Sequence, residues 1–179
     1  MKLNACLAIL STSASVGISN GLTLRSMKKR LIVKGNICIL KREMTDSEFQ
    51  HMKHGFDEHT IENDVEVQQA DRYGFVALEN EKFVGCSSGL AYKNGEKYSG
   101  WFYLTDLFVE KEYRFREIGK ALLSSLEEEL KEKGIAKIWT WTAGYEAPAF
   151  YIKQGYKVFA EMENWYSDGS GRIGLRKEL

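Results

Sequence analysis

The hydrophobic period of this chain changes at Val109. Ahead of it, "RYGFVALENEKFVGCSSGLAYKNGEKYSGWFYLTDLFV" reads as three consecutive strands. Asn80-Glu81 marks the first turn and Asn94-Gly95 the second, so the three predict an antiparallel meander. Beyond it, Ile118, Leu122, Leu126 and Leu130 recur at helical spacing, with Leu123 beside them. Glu127, Glu128, Lys131, Glu132 and Lys133 occupy the far side of that helix, and Glu127–Lys131 and Glu129–Lys133 are i,i+4 pairs. Gly134 is suited to end it, and "IAKIWTW" returns to strand. Strand, helix and strand at this spacing imply a right-handed parallel crossover. The expected fold is α/β of the α+β kind, with an antiparallel meander followed by a strand–helix–strand crossover in one mixed sheet.

The remaining elements extend that plan. "NICILKREM" reads as a first strand. Thr45, with Glu48 three residues later, has capping-box spacing, and polar helical sequence continues to about Gln69. "APAFYIKQG" predicts a short helix that starts around Pro148 and ends at Gly155. "YKVFAEMENWY" and "GRIGLRKEL" form a closing pair of strands around "SDGSG". Residues 36–179 are therefore expected to be one domain and residues 1–35 an N-terminal extension. "MKLNACLAILSTSASVGIS" resembles a weak secretory signal. A disordered extension, or a start at Met27, agrees better with a chain whose three cysteines suggest no disulfide framework. A cytoplasmic location is the expectation.

Charge limits the partners. Lys plus Arg and Asp plus Glu are both 25, so no global field draws in nucleic acid or an anionic membrane. Cys6, Cys38 and Cys86 form no CxxC pair. His51, His54 and His59 fall on the polar helix, where a solvated face is favoured over a metal pair, and no metal is expected.

"YRFREIGKALL" lies where the meander feeds the helix. The first N–H groups of a helix have no partner within it, and the helix dipole adds positive charge there. Arg114, Arg116 and Lys120 oppose Glu112 and Glu117. The turn fits a local anion site, and equally a helix start with surface arginines.

The order of these elements, with two motifs in sequence, resembles the GNAT superfamily of acetyl-CoA-dependent N-acyltransferases from Ile37 to Leu179. The family turn, Arg/Gln-x-x-Gly-x-Gly/Ala, is matched by Arg114-Phe115-Arg116-Glu117-Ile118-Gly119, with the first glycine replaced by Glu117. The second signature is intact as Phe150-Tyr151-Ile152-Lys153-Gln154-Gly155-Tyr156. "DLFV", Asp106 to Val109, looks like the cofactor-facing strand.

The resemblance implies a GNAT-like mixed central sheet with helices on both faces and acetyl-CoA as co-substrate. Pantetheine would pair with backbone at Leu107, Phe108 and Val109. Arg114, Arg116, Glu117, Ile118, Gly119 and Lys120 would surround the pyrophosphate, and Thr142 would add a contact from the next strand. Gly144 stands where the family often has a cofactor-binding asparagine. Tyr151 would protonate the departing thiolate. Thr105 occupies the position of a glutamate base in polyamine-type members. Asp106 is a catalytic candidate, but strand alternation aims it at the other face unless a bulge intervenes. Glu161 and Glu163 are further options, and the base stays unassigned. The acceptor is expected to be the amine of a small molecule or peptide. Trp165 and Tyr166 near Glu161, Glu163 and Asp168 would suit a cation, or be packing aromatics. Trp101, Trp139 and Trp141 read as core or sheet-face packing. A homodimer is left open. A non-catalytic acyl-CoA-binding domain is the second reading, and a nucleotide-binding βαβ protein is disfavoured for want of a distal acidic ribose ligand.

Overall fold

In the computed structural model, the described residues are 31–33 and 37–179. The reading of the first 26 residues lies outside them. Strands β1 (Leu31–Val33) and β2 (Ile37–Ile39) pair with each other antiparallel. The first of these strands lies ahead of the expected domain start.

Helix α1 (Asp46–Glu62) begins at the anticipated capping box. The Thr45 N–H donates to Glu48 Oε2 at 2.8 Å, and the Glu48 N–H donates back to Thr45 Oγ1 at 3.3 Å. Arg42 grips the same carboxylate with both terminal nitrogens, at 2.7 and 2.6 Å, and holds Glu48 well below the usual carboxylate range. The helix stops seven residues before the predicted end at Gln69. Asn63 Nδ2 donates to the His59 carbonyl at 2.7 Å, and Asp64 turns left-handed at φ 56°. Short polar side chains tolerate that conformation and close the helix. His54 and His59 face Glu58 and Glu62 on an exposed helix.

The six-stranded sheet contains β3 (Gln68–Glu79), β4 (Lys82–Asn94), β5 (Lys97–Val109), β6 (Lys137–Ala143), β7 (Lys157–Met162) and β8 (Arg172–Glu178). Their order is β3-β4-β5-β6-β8-β7. The meander and the parallel crossover through α2 (Ile118–Glu132) are as the period change predicts. The last strand slots between β6 and β7, an order that turn chemistry alone does not dictate.

Helices α2 and α3 (Pro148–Lys153) cover one face of the sheet. Leu123, Leu126 and Leu130 of α2 pack on Phe102, Leu104, Ile138 and Leu175, all almost fully buried. Each such side chain contributes about 1.5–3 kcal/mol of transfer free energy.

Of the two expected helix-surface ion pairs, Lys133 meets Glu129 at 2.9 Å. Glu127 does not use Lys131. It is buried and accepts the Tyr156 hydroxyl at 3.0 Å and Lys177 Nζ at 2.6 Å. The buried stripe of α2 is wide enough to take Glu127 in beside Leu126 and Leu130, where a fully hydrogen-bonded carboxylate ties α2 to Tyr156 and β8.

Candidate active site

β5 and β6 are paired over three residues only, Trp101–Tyr103 with Lys137–Trp139. Past that point the Thr140 hydroxyl donates to the Leu104 carbonyl at 2.9 Å, and the strands then part. The edge of β5 from Thr105 to Val109 that faces β6 is left without a strand partner. A cleft of about 1180 Å³ opens there. It is lined by Asp106, Leu107, Phe108, Val109, Arg114, Glu117, Ile118, Gly119, Lys120, Thr142 and Tyr151. These are the residues singled out in the sequence, with one exception. Arg116 does not line the cleft; its guanidinium lies 5.0 Å from the centre of the Tyr113 ring.

A β-bulge decides where Asp106 points. Ser88 pairs with Asp106 and Gly89 with Leu104, so Thr105 is an extra residue on β5. Leu104 and Leu107 pack toward the core under α2, and Ser87 donates to the Leu122 carbonyl on that helix at 2.9 Å. Ser88 and Asp106 therefore share the opposite face, the one that carries Tyr103 and Trp139. Simple alternation would have sent Asp106 toward α2, and the bulge reverses it.

The turn before α2 is strained as the Glu117 substitution suggests. Glu117 has φ 58° and ψ 5°, and Phe115 has φ 63° with its side chain fully exposed. A left-handed non-glycine residue costs roughly 1–2 kcal/mol. The Glu117 carboxylate turns outward to Lys120 Nζ at 3.5 Å, and Arg114 Nε ties the turn to the Val109 carbonyl at 3.1 Å. A Cβ added to Gly119 would meet nothing nearer than Val109 Cγ2 at 3.6 Å, so internal packing does not require a glycine there. The missing side chain keeps the start of the helix open to an approaching ligand. Glu117→Gly is expected to stabilise the fold by about 1 kcal/mol and, with acetyl-CoA as the co-substrate that the resemblance implies, to tighten its binding several-fold, less so at high salt. Calorimetric titration of both forms checks this. Weaker binding by the glycine form would give Glu117 an active role and overturn this reading.

Tyr151 sits at the fork of the two strands, buried against Phe150 and Tyr156. Burial pushes its phenol up to about 12, with the Thr140 hydroxyl pulling down and the Glu146 charge adding a little. Glu146 also lines the cleft, and sequence reasoning missed it. Its Oε2 accepts the Thr142 hydroxyl at 3.0 Å and the Ala143 N–H at 2.9 Å, fixing the turn between β6 and α3. Only its place two residues ahead of Pro148 hinted at a turn-closing role.

The face of the sheet opposite α2 is aromatic. Trp101, Trp139, Trp141, Phe159 and Arg176 line a shallow hollow of about 380 Å³, and Tyr103 stacks on Trp139 with centroids 4.2 Å apart. Sheet-face packing, one of the two readings of these tryptophans, is what the structure shows. The Arg172 guanidinium lies 5.2 Å from both the Trp141 and the Trp165 rings. Tyr166 packs edge-on to Tyr145. Glu161 and Glu163 are exposed on and after β7 and do not line the cleft.

The sequence of an acetyltransferase (GNAT) domain is matched by residues 70–158, a span that holds the bulge, the strained turn and Tyr151. The chain belongs to the GNAT acetyltransferase family. Solved GNAT-like structures share the fold. An acetyltransferase from Bacillus cereus ATCC 14579 superposes with a TM-score of 0.65 at 24% identity, over 77% of this chain and 96% of that one. A ribosomal-protein-alanine N-acetyltransferase from Brucella melitensis gives 0.51 at 18% identity, over 76% and 81%. An aminoglycoside 6'-N-acetyltransferase complexed with coenzyme A gives 0.52 at 18% identity, over 75% and 81%. No curated protein matches the chain in sequence. As a GNAT member the chain is an acyltransferase. Among the described residues no helix is long and apolar enough to cross a membrane.

Proposed function

We propose that this GNAT acetyltransferase moves the acetyl group of acetyl-CoA to the primary amine of a small molecule or peptide, in the cytoplasm, with residues 36–179 as the transferase domain. The observation that carries this reading is the parted pair β5/β6, with Tyr151 at the fork and Asp106 turned onto the opposite face by the bulge. The cleft suits acetyl-CoA. It offers an unpaired strand edge to the amide-containing arm. It also offers a helix start kept open at Gly119 to the phosphates.

Acetyl-CoA supplies the activated thioester. The acceptor arrives mostly as ammonium, since alkyl amines have pKa values near 10. Asp106 takes one proton from it, and the neutral nitrogen then attacks the thioester carbon. As the C–S bond breaks, the nitrogen gives up its second surplus proton to solvent, from which the phenol of Tyr151 is restored after each turnover. Backbone N–H groups near Phe108 and Val109 are assigned to the charge that grows on the thioester oxygen. Tyr151 returns a proton to the departing sulfur, which its raised pKa equips it to do because the phenol stays protonated through the neutral range.

The test has two parts. Acetyl-CoA at a hundredfold excess over its Kd should stabilise the fold by about 2.7 kcal/mol, with ATP and NAD doing less. Free thiol should then appear with an amine panel of aminoglycosides, polyamines, amino acids and peptides. A melting temperature raised by ATP and unmoved by acetyl-CoA sinks the reading. Binding without thiol release leaves a non-catalytic acyl-CoA sensor instead.

A further inference from the structure

Arg72 belongs to neither family motif, and it reaches from β3 across β4 to Asp106 on β5. Its Nη1 donates to Ser88 Oγ at 2.9 Å, to Thr105 Oγ1 at 3.1 Å and to Asp106 Oδ2 at 3.1 Å. That same Asp106 oxygen accepts the Ser88 hydroxyl at 2.8 Å and the Thr105 hydroxyl at 2.6 Å. Every bond of Arg72 in this network leaves from one nitrogen, and every bond to Asp106 ends on one oxygen. Nε and Nη2 of the guanidinium, and Oδ1 of the carboxylate, have no hydrogen-bond partner among the described residues.

Both side chains are about half exposed, 54% and 50%. An ion pair this open adds little to stability, so stability does not account for three strands converging on it. The two hydroxyls fix the inner nitrogen and the inner oxygen and leave the outer donors and the outer acceptor for a ligand. Asp106 lines the cleft, and Arg72, outside that lining, stands beside it with its outer edge open to solvent.

Resting on the transferase reading above, we propose that Arg72 and Asp106 together select an acceptor whose amine and carboxylate are one carbon apart, a free α-amino acid. Its ammonium meets Asp106 Oδ1, which also takes the proton. Its carboxylate meets the outer edge of Arg72, whose planar fork matches two oxygens at once. A peptide N-terminus has a neutral amide where this carboxylate would be and leaves the fork unpaired.

The experiment compares each amino acid with its own amide as acceptor, with acetyl-CoA saturating, in the natural protein, Arg72→Gln and Arg72→Lys. The amide keeps the side chain and removes the carboxylate charge; it also lowers the pKa of the amine, so kcat/KM is compared per free amine. In the natural protein kcat/KM should favour the acid. Arg72→Gln should lower the acid's kcat/KM about ten- to a hundredfold more than the amide's, as loss of a charge-assisted pair implies. Arg72→Lys, which keeps the charge without the fork, should fall between. Equal losses on acid and amide would make Arg72 a positioning residue for Asp106 alone and overturn the proposal. So would a natural protein that acetylates amides as well as acids. Those two results leave the transferase reading standing, whereas no thiol release with any amine removes both.

Discussion

Tyr151→Phe is expected to lower kcat by about 10²–10⁴-fold, the usual cost of losing a positioned general acid, while the fold stays close to intact. The ring is buried in the core with only 6% of its surface exposed, and phenylalanine preserves its contacts with Phe150 and Tyr156. Only the hydroxyl is lost, worth about 1 kcal/mol of stability. Thiol release measured where chemistry limits the rate, beside melting curves of both forms, checks the pair of expectations. An unchanged rate would take Tyr151 out of the mechanism. A second signature follows from the phenol, which is raised from 10.0 to about 12 in the folded chain. A raised acid of this kind stabilises fully below its unfolded pKa and ceases to do so as pH climbs through the folded one. Between about pH 10 and 12 the natural protein should lose stability relative to Tyr151→Phe.

Gly89→Ala is expected to destabilise by about 3 kcal/mol or more, at the upper end of what overpacking costs. A Cβ at Gly89 would stand 2.1 Å from the Tyr103 carbonyl oxygen and 2.5 Å from Phe102 Cε1. The first of these is backbone and cannot swing aside, and the second belongs to a ring with no exposed surface. For a chain of this size that corresponds to a loss of roughly 6–12 °C in Tm. Gly89 faces Leu104 across the bulge, so relief by sliding β5 would also move Asp106. Denaturant titration reads the stability, and turnover per folded molecule reads the site. A midpoint equal to that of the natural protein would show that the strands relax at no cost and that the bulge is not fixed by this glycine.

The parts of the molecule that were legible in the sequence rest on local chemistry. The change of period at Val109 gave the meander and the crossover because burial on one face forces the spacing of leucines. Thr45 and Glu48 marked a helix start because a capping box is a contact between residues three apart. The strain at Glu117 was readable because a side chain stands where the family has glycine. What was hidden depends on pairing across strands. The extra residue at Thr105 shows only against Ser88 and Gly89, so the direction of Asp106 stayed undecided. Arg72 meets Asp106 across 34 residues of sequence. Glu127 read as a surface helix residue, and the Lys177 that draws it inward is 50 residues away on a strand whose place in the sheet no local pattern specifies.

The short pairing of β5 with β6 has a mechanical meaning. Among the described residues, three residue pairs, the Thr140 bond and a bond from the Ala136 N–H to the Gly100 carbonyl at 3.2 Å join the plate β3-β4-β5 to the plate β6-β8-β7 along the sheet. Leu123, Leu126 and Leu130 act as a rivet through both plates from above, since they pack on Phe102 and Leu104 of one and on Ile138 and Leu175 of the other. Bending is thereby concentrated along one line that ends at Tyr151. Tyr151 thus stands at the closed end of the gap between the plates, where the seam and the rivet hold it, while the gap itself widens away from it.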